Sequence, residues 1–200
     1  MKGQMGSEWL NVANLLTALR VLLAPAIIIL LLFEGRLAYN VPVNVAAGVL
    51  FIAAALTDKA DGYYARKHDQ VTSVGQFLDP LADKLLMLPV MATLCYLERM
   101  PLWVVLVVFA RELVISLIRV IGARKGISFP ASWSGKIKMF SQIVVVSVLI
   151  FFWKDANNGF VLALVYVMAA ITIYSGIDYC MRARSEIFKS VPGADETEAQ

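Results

Sequence analysis

The sequence predicts an all-α integral membrane protein, with six transmembrane helices and a short interfacial helix before the first. Three observations predict it. Apolar residues make up 60% of the 200-residue chain and charged residues 16%, where a soluble domain carries about 25% charged residues. The apolar residues gather into runs close to the ~20 residues that span a bilayer's hydrocarbon core. The basic residues between those runs fall mostly on alternate connections.

Taken in order, 1–14 is mixed and partly polar, unlike a cleavable signal. Within it, the stretch 9–16 combines Trp9, Leu10 and Val12 with Asn11 and Asn14 and reads as the interfacial helix. Thr17 is expected to open the first span, over 16–33. The further spans are predicted over 43–64, 78–97, 102–121, 133–153 and 160–181. All are helical, because lipid cannot satisfy an open backbone, and Pro25 and Pro89 are tolerated inside them as kinks. The domain covers 1–190, and the tail 191–200, with Asp195, Glu196 and Glu198, is expected to be disordered. Cys95 and Cys180 read as small buried side chains in separate spans.

The connections after the first, third and fifth spans carry Arg36, Arg99 and Lys154. The opposite side carries Lys2, Arg20, Arg66, Lys67, Arg124, Lys125, Lys136, Lys138, Arg182, Arg184 and Lys189. The positive-inside rule places that side, with both termini, in the cytoplasm of a multi-pass cell-membrane protein. The net charge of +3 gives no reason to expect a nucleic-acid partner. No internal repeat suggests an inverted-repeat transporter.

Four carboxylates mark the cytoplasmic ends of the second and third spans. Asp58 and Asp61 are three residues apart, and Asp79 and Asp83 four apart, so each pair shares a helix face. A loop of about a dozen residues is expected to join the two helices as antiparallel neighbours, so that the faces can meet. Four such groups resist ionisation together unless a cation sits among them. An all-oxygen set suits magnesium or manganese, which share coordination with substrate phosphates. Two such ions, about 3.5–4 Å apart, stabilise both the entering and the leaving oxygen of a phosphoryl transfer. Gly62 and Gly75 let a nucleotide or a backbone come close. His68, in the connecting loop, reads as solvated.

Asp58, Asp61, Gly62, Ala65, Arg66, Gly75, Asp79 and Asp83 form the pattern D-x2-D-G-x2-A-R-x8-G-x3-D-x3-D without substitution. This resembles the signature of the CDP-alcohol phosphotransferases. The resemblance implies six membrane helices, a site facing the cytoplasm, and a homodimer. It also implies that Asp58, Asp61 and Asp79 hold two divalent cations, Mg2+ or Mn2+, and that Asp83 joins them and serves as general base on the acceptor hydroxyl. Asp61, Gly62, Ala65, Arg66 and Gly75 are implied to line the pocket for a CDP-activated lipid.

The acceptor has to be read elsewhere. Arg111 lies well inside the fourth span, followed by Glu112 and, eight residues on, by Arg119. A buried arginine needs a partner. Neighbours on a helix do not face each other, so Glu112 is not expected to suffice alone. Lys136 and Lys138 open the fifth span, and Asp178, Arg182 and Arg184 close the sixth. Arg111, Arg119, Lys136, Lys138 and Arg182 form a candidate site for a phosphate monoester. Asn14, Thr17 and Arg20, Ala110-Arg111-Glu112 with Arg119, and Gly135, Lys136 and Lys138 with Gln142 resemble the glycerol-phosphate branch of the family. That branch implies CDP-diacylglycerol as donor and sn-glycerol-3-phosphate as acceptor, with Asn14 and Thr17 either orienting the nucleotide or capping the interfacial segment. Met139 and Phe140 depart from the branch, where smaller or hydroxyl-bearing residues are expected.

Inositol phosphate or phosphatidylglycerol as acceptor keeps the same chemistry. A divalent-cation channel or transporter needs acidic residues near the bilayer centre rather than at one end beside Arg66. A membrane scaffold leaves the aspartates unexplained.

Overall fold

A computed structural model describes the backbone over 12–33, 40–67, 73–124, 132–152 and 158–189, together with 154 and 156. Side chains are described from 20 onward within those limits, except at 40–42, 57–67, 73–83 and 187–189. The described chain is helical and contains no strand: α1 Val12–Leu32, α2 Asn40–Lys67, α3 Ser73–Tyr96, α4 Leu102–Arg124, α5 Trp133–Phe151 and α6 Gly159–Lys189. At 1.5 Å per residue these helices are about 28–46 Å long. Two of them, over Trp133–Phe151 and Gly159–Glu186, are long and apolar enough among the described residues to cross a membrane. Shorter apolar stretches cover Arg20–Leu32, Val43–Leu56 and Lys84–Tyr96.

The six helices match the six predicted segments, with three corrections. First, α1 is already helical at Val12 and runs through Thr17 unbroken, so Thr17 does not open a helix. Of the expected interfacial helix, 12–16 is continuous with α1, and 9–11 lies outside the described residues. The apolar residues there extend the helix instead of starting a new one. Second, Arg20 and Lys138, counted with the cytoplasmic-side charges, lie inside the bundle at 1% and 7% exposure. The early start of α1 carries Arg20 two turns into the helix.

Third, the connection between α2 and α3 is five residues, 68–72, because both helices extend beyond their apolar cores into the polar motif. Such a linker keeps the ends of α2 and α3 within ~20 Å of each other. Along their lengths, however, the two helices barely touch. Helix α1 lies against both of them, and α6 lies in the same way against both α4 and α5. The two halves join where α2 packs on α5 and α3 on α4.

One apolar core runs through the bundle, with Ile27, Phe51, Val90, Leu94, Val104, Val146, Leu149 and Met168 among its most buried members. At the seam between α2 and α5 the ring of Phe151 rests on Gly48, where a Cβ would come within 2.5 Å of Phe151 Cζ. Met139 packs against this core, while Phe140 is exposed. The outer faces are apolar too. Leu102, Trp103, Leu106, Phe109, Leu113 and Leu117 are exposed on α4, and Phe160, Val167, Tyr174 and Ile177 on α6. Contiguous apolar cover of this extent is unfavourable against water.

The turn from α3 to α4 is tight. Arg99 N donates to Leu94 O at 2.9 Å and Glu98 N to Cys95 O at 3.0 Å, a paired closure of the helix end. It puts Glu98 at φ 58°, in the left-handed region that glycine usually fills. Arg99, 6% exposed, reaches back from this turn, with Nη1 3.5 Å from both Asn44 Oδ1 and Leu149 O. Burial lowers its pKa to about 10, so it keeps its charge at neutral pH.

Candidate active site

All eight motif positions are helical: Asp58, Asp61, Gly62, Ala65 and Arg66 toward the end of α2, and Gly75, Asp79 and Asp83 in α3. Their side chains, and those of Asn14 and Thr17 on α1, lie outside the described residues, as do His68 and the tail 191–200. Among the described side chains no group of three or more His, Cys, Asp or Glu could hold a metal ion. The donor set of the four aspartates nonetheless fits hard divalent cations by its chemistry, being all carboxylate and carried on two helices joined by a short linker. Arg20 belongs to α1, the helix that packs against both of those two, and is almost wholly buried.

The described part of the site begins one residue past Asp83. Lys84 donates to Ser116 Oγ on α4, and Ser116 in turn donates to the carbonyl of Glu112 at 2.6 Å, one helical turn away. Glu112 is a hub. Lys138 Nζ on α5 is 2.6 Å from its Oε1, and Arg111 Nη1 is 2.8 Å from the same oxygen. Although Arg111 and Glu112 are neighbours on one helix, the long guanidinium stem curls back far enough to meet the carboxylate. A second partner exists as expected: Arg111 Nη2 donates to Ser175 Oγ on α6 at 2.8 Å.

Space for the guanidinium comes from two helices. A Cβ at Gly176 on α6 would come within 3.3 Å of Arg111 Cγ, and one at Gly135 on α5 would lie 3.8 Å from Nη2. Arg111 Nε is buried and has no acceptor among the described residues. Leaving a buried donor unsatisfied costs about 1–3 kcal/mol unless a ligand or water meets it. Gln142 Nε2, one turn past Lys138 and also buried, likewise has no partner among the described residues.

Of the five predicted acceptor residues, Arg111 and Lys138 converge, whereas Arg119, Lys136 and Arg182 each have separate company. Arg119 Nε donates to Tyr179 Oη at 3.3 Å and lies over the same ring, 5.7 Å from its centroid. Lys136 sits over Trp133, 5.4 Å from the ring centroid. Arg182 pairs with Asp178 at 2.9 Å with its own side chain 64% exposed. Asp178 also accepts a bond from Ser134 at 2.5 Å, and Ser132, which caps α5, is 3.0 Å from the Ser134 hydroxyl. These contacts tie the start of α5 to α6.

Sequence reasoning did not single out Lys84, Ser116 or Ser175. Lone hydroxyls in apolar helices usually bond to their own backbone, so they carry little signal. The position of Lys84 directly after the last aspartate was the one available clue.

The family model for CDP-alcohol phosphatidyltransferases matches residues 10–174. The chain belongs to this family. Its relatives within the family include the CDP-diacylglycerol–glycerol-3-phosphate 3-phosphatidyltransferase of Bacillus subtilis, 37% identical over 179 residues that cover 84% of this chain and 93% of the relative. The protein of the same name from Escherichia coli is 34% identical over 189 residues, 88% of this chain and 97% of the relative. A protein of Mycobacterium tuberculosis named probable phosphatidylglycerophosphate synthase is 35% identical over 180 residues, 88% of this chain and 83% of the relative.

Proposed function

We propose that the chain transfers the phosphatidyl group of CDP-diacylglycerol to sn-glycerol-3-phosphate, giving phosphatidylglycerophosphate and CMP. Family membership supports the chemistry, and the names of the relatives support this donor and acceptor. The observation that carries the acceptor is the convergence of Arg111 and Lys138, one turn from the serine that Lys84 bonds, beside Asp83. A phosphate monoester needs such cations, and a neutral alcohol does not.

The chain is a multi-pass protein of the cell membrane, with six spanning helices and both termini cytoplasmic. The apolar outer faces and the loop charges support this reading. A homodimer in the bilayer is consistent with the same apolar faces. Asp58, Asp61, Asp79 and Asp83 would hold two divalent cations, Mg2+ or Mn2+, which when bound neutralise pyrophosphate charge. Asp61, Gly62, Ala65, Arg66 and Gly75, with Asn14 and Thr17, receive the CDP moiety. Arg111 and Lys138 grip the acceptor phosphate, and Arg119, Lys136 and Arg182 draw it in from the surface. Asp83 takes the proton of the acceptor hydroxyl as its oxygen attacks the β-phosphorus of the donor. The bond from that phosphorus to CMP breaks, and CMP leaves.

The test is CMP release by purified protein in detergent with CDP-diacylglycerol and Mg2+ or Mn2+, offering glycerol-3-phosphate, inositol phosphate or phosphatidylglycerol in turn. Turnover with glycerol-3-phosphate alone, abolished by chelator, is expected. Turnover only with another acceptor overturns the assignment of substrate and leaves the chemistry standing.

A further inference from the structure

A carboxylate lies at the heart of a pocket read as binding an anion. Charge alone makes this unfavourable, because Glu112 opposes the phosphate that Arg111 and Lys138 attract. It is nonetheless the meeting point of two cations from different helices, which share its single oxygen Oε1. Both cations are otherwise costly to hold. Lys138 is 7% exposed on a flexible stem, and two like charges at such range repel.

The surroundings fix Arg111 further. Ser175 holds Nη2, Gly176 leaves space for the stem, and the buried Nε lacks an acceptor among the described residues. This is a fork held open on one edge. We infer that Glu112 is a positioning residue for the acceptor, holding the Arg111 guanidinium and the Lys138 ammonium side by side so that a phosphate monoester meets two preset cations. The gain comes from preorganisation: the acceptor does not have to order two long side chains on arrival. The inference rests on reading the acceptor as a phosphate monoester.

The experiment is steady-state kinetics of E112Q in detergent with each substrate varied in turn. The KM for glycerol-3-phosphate is expected to rise about tenfold or more, with the KM for CDP-diacylglycerol within about twofold of the parent value. An unchanged acceptor KM overturns the inference. So does an equal rise in both KM values together with a lowered melting temperature, which is the mark of a purely structural ion pair. If E112Q does not fold, E112Q/K138M removes acid and base together and is compared with K138M alone. The double variant should have the higher acceptor KM, since Arg111 has then lost its carboxylate partner too, and equal values overturn the inference. An inactive parent protein with glycerol-3-phosphate would instead point to failure of the acceptor assignment.

Discussion

Arg111 and Arg99 are two arginines set into the same bundle, and they are held by opposite means. Arg99 closes the turn between α3 and α4 and is directed at neutral oxygens, Asn44 Oδ1 and Leu149 O, at the long limit of hydrogen bonding. It draws α2 and α5 onto that turn. Arg111 sits in mid-helix, shares a carboxylate with Lys138, and faces glycines that leave its stem room. The one spans two helices through a single nitrogen, Nη1, whereas the other keeps a buried N–H without an acceptor among the described residues. Burial alone therefore does not separate a structural cation from a functional one. On the function proposed above, the carboxylate shared with Lys138 is what sets Arg111 apart.

The largest effect that would sharpen this contrast lies at the aspartates, where neither arginine acts. Asp83→Asn is expected to lower kcat by about 10²–10⁴-fold through loss of the general base proposed above, read as CMP release at saturating substrates. Arg111→Met comes next. The acceptor KM should rise about 30–100-fold, corresponding to ~2–3 kcal/mol for a charge-assisted bond, with the CDP-diacylglycerol KM nearly unmoved. Arg99→Met should do the reverse, lowering stability by about 1–3 kcal/mol in thermal or denaturant unfolding while activity per folded molecule is kept. A large acceptor KM change in Arg99→Met would break the comparison. The smallest effect is expected at Glu98→Gly, which relieves the left-handed backbone of the same turn and should stabilise the protein by about 1 kcal/mol or less.

Much of this was legible in the sequence. The six helices follow from apolar runs each near the length of a spanning helix, and the aspartate signature stands at fixed spacings on two of them. The junction between those two helices was not legible. Apolarity ends before the helices do, so a reading based on hydropathy stops short of Lys67 and starts after Ser73. Charge near the end of an apolar run gives the side of the membrane, but not the depth of burial that Arg20 and Lys138 reach. The partners of Arg111 were half legible. A buried guanidinium announces that it needs an acid, but that Lys138 shares the acid and that Ser175 completes the set depends on how α5 and α6 cross α4. No spacing within one helix encodes that crossing.

The arrangement of α1 against both α2 and α3 has a consequence for how the protein is made. Chains emerge from the ribosome N-terminus first, at ~5–20 residues per second. The surface on which both aspartate-bearing helices dock is therefore already present when each of them is synthesised. They need not find one another, because each finds the same earlier neighbour. The whole aspartate signature can in this way be seated before the cation-bearing helices α4 and α5 exist.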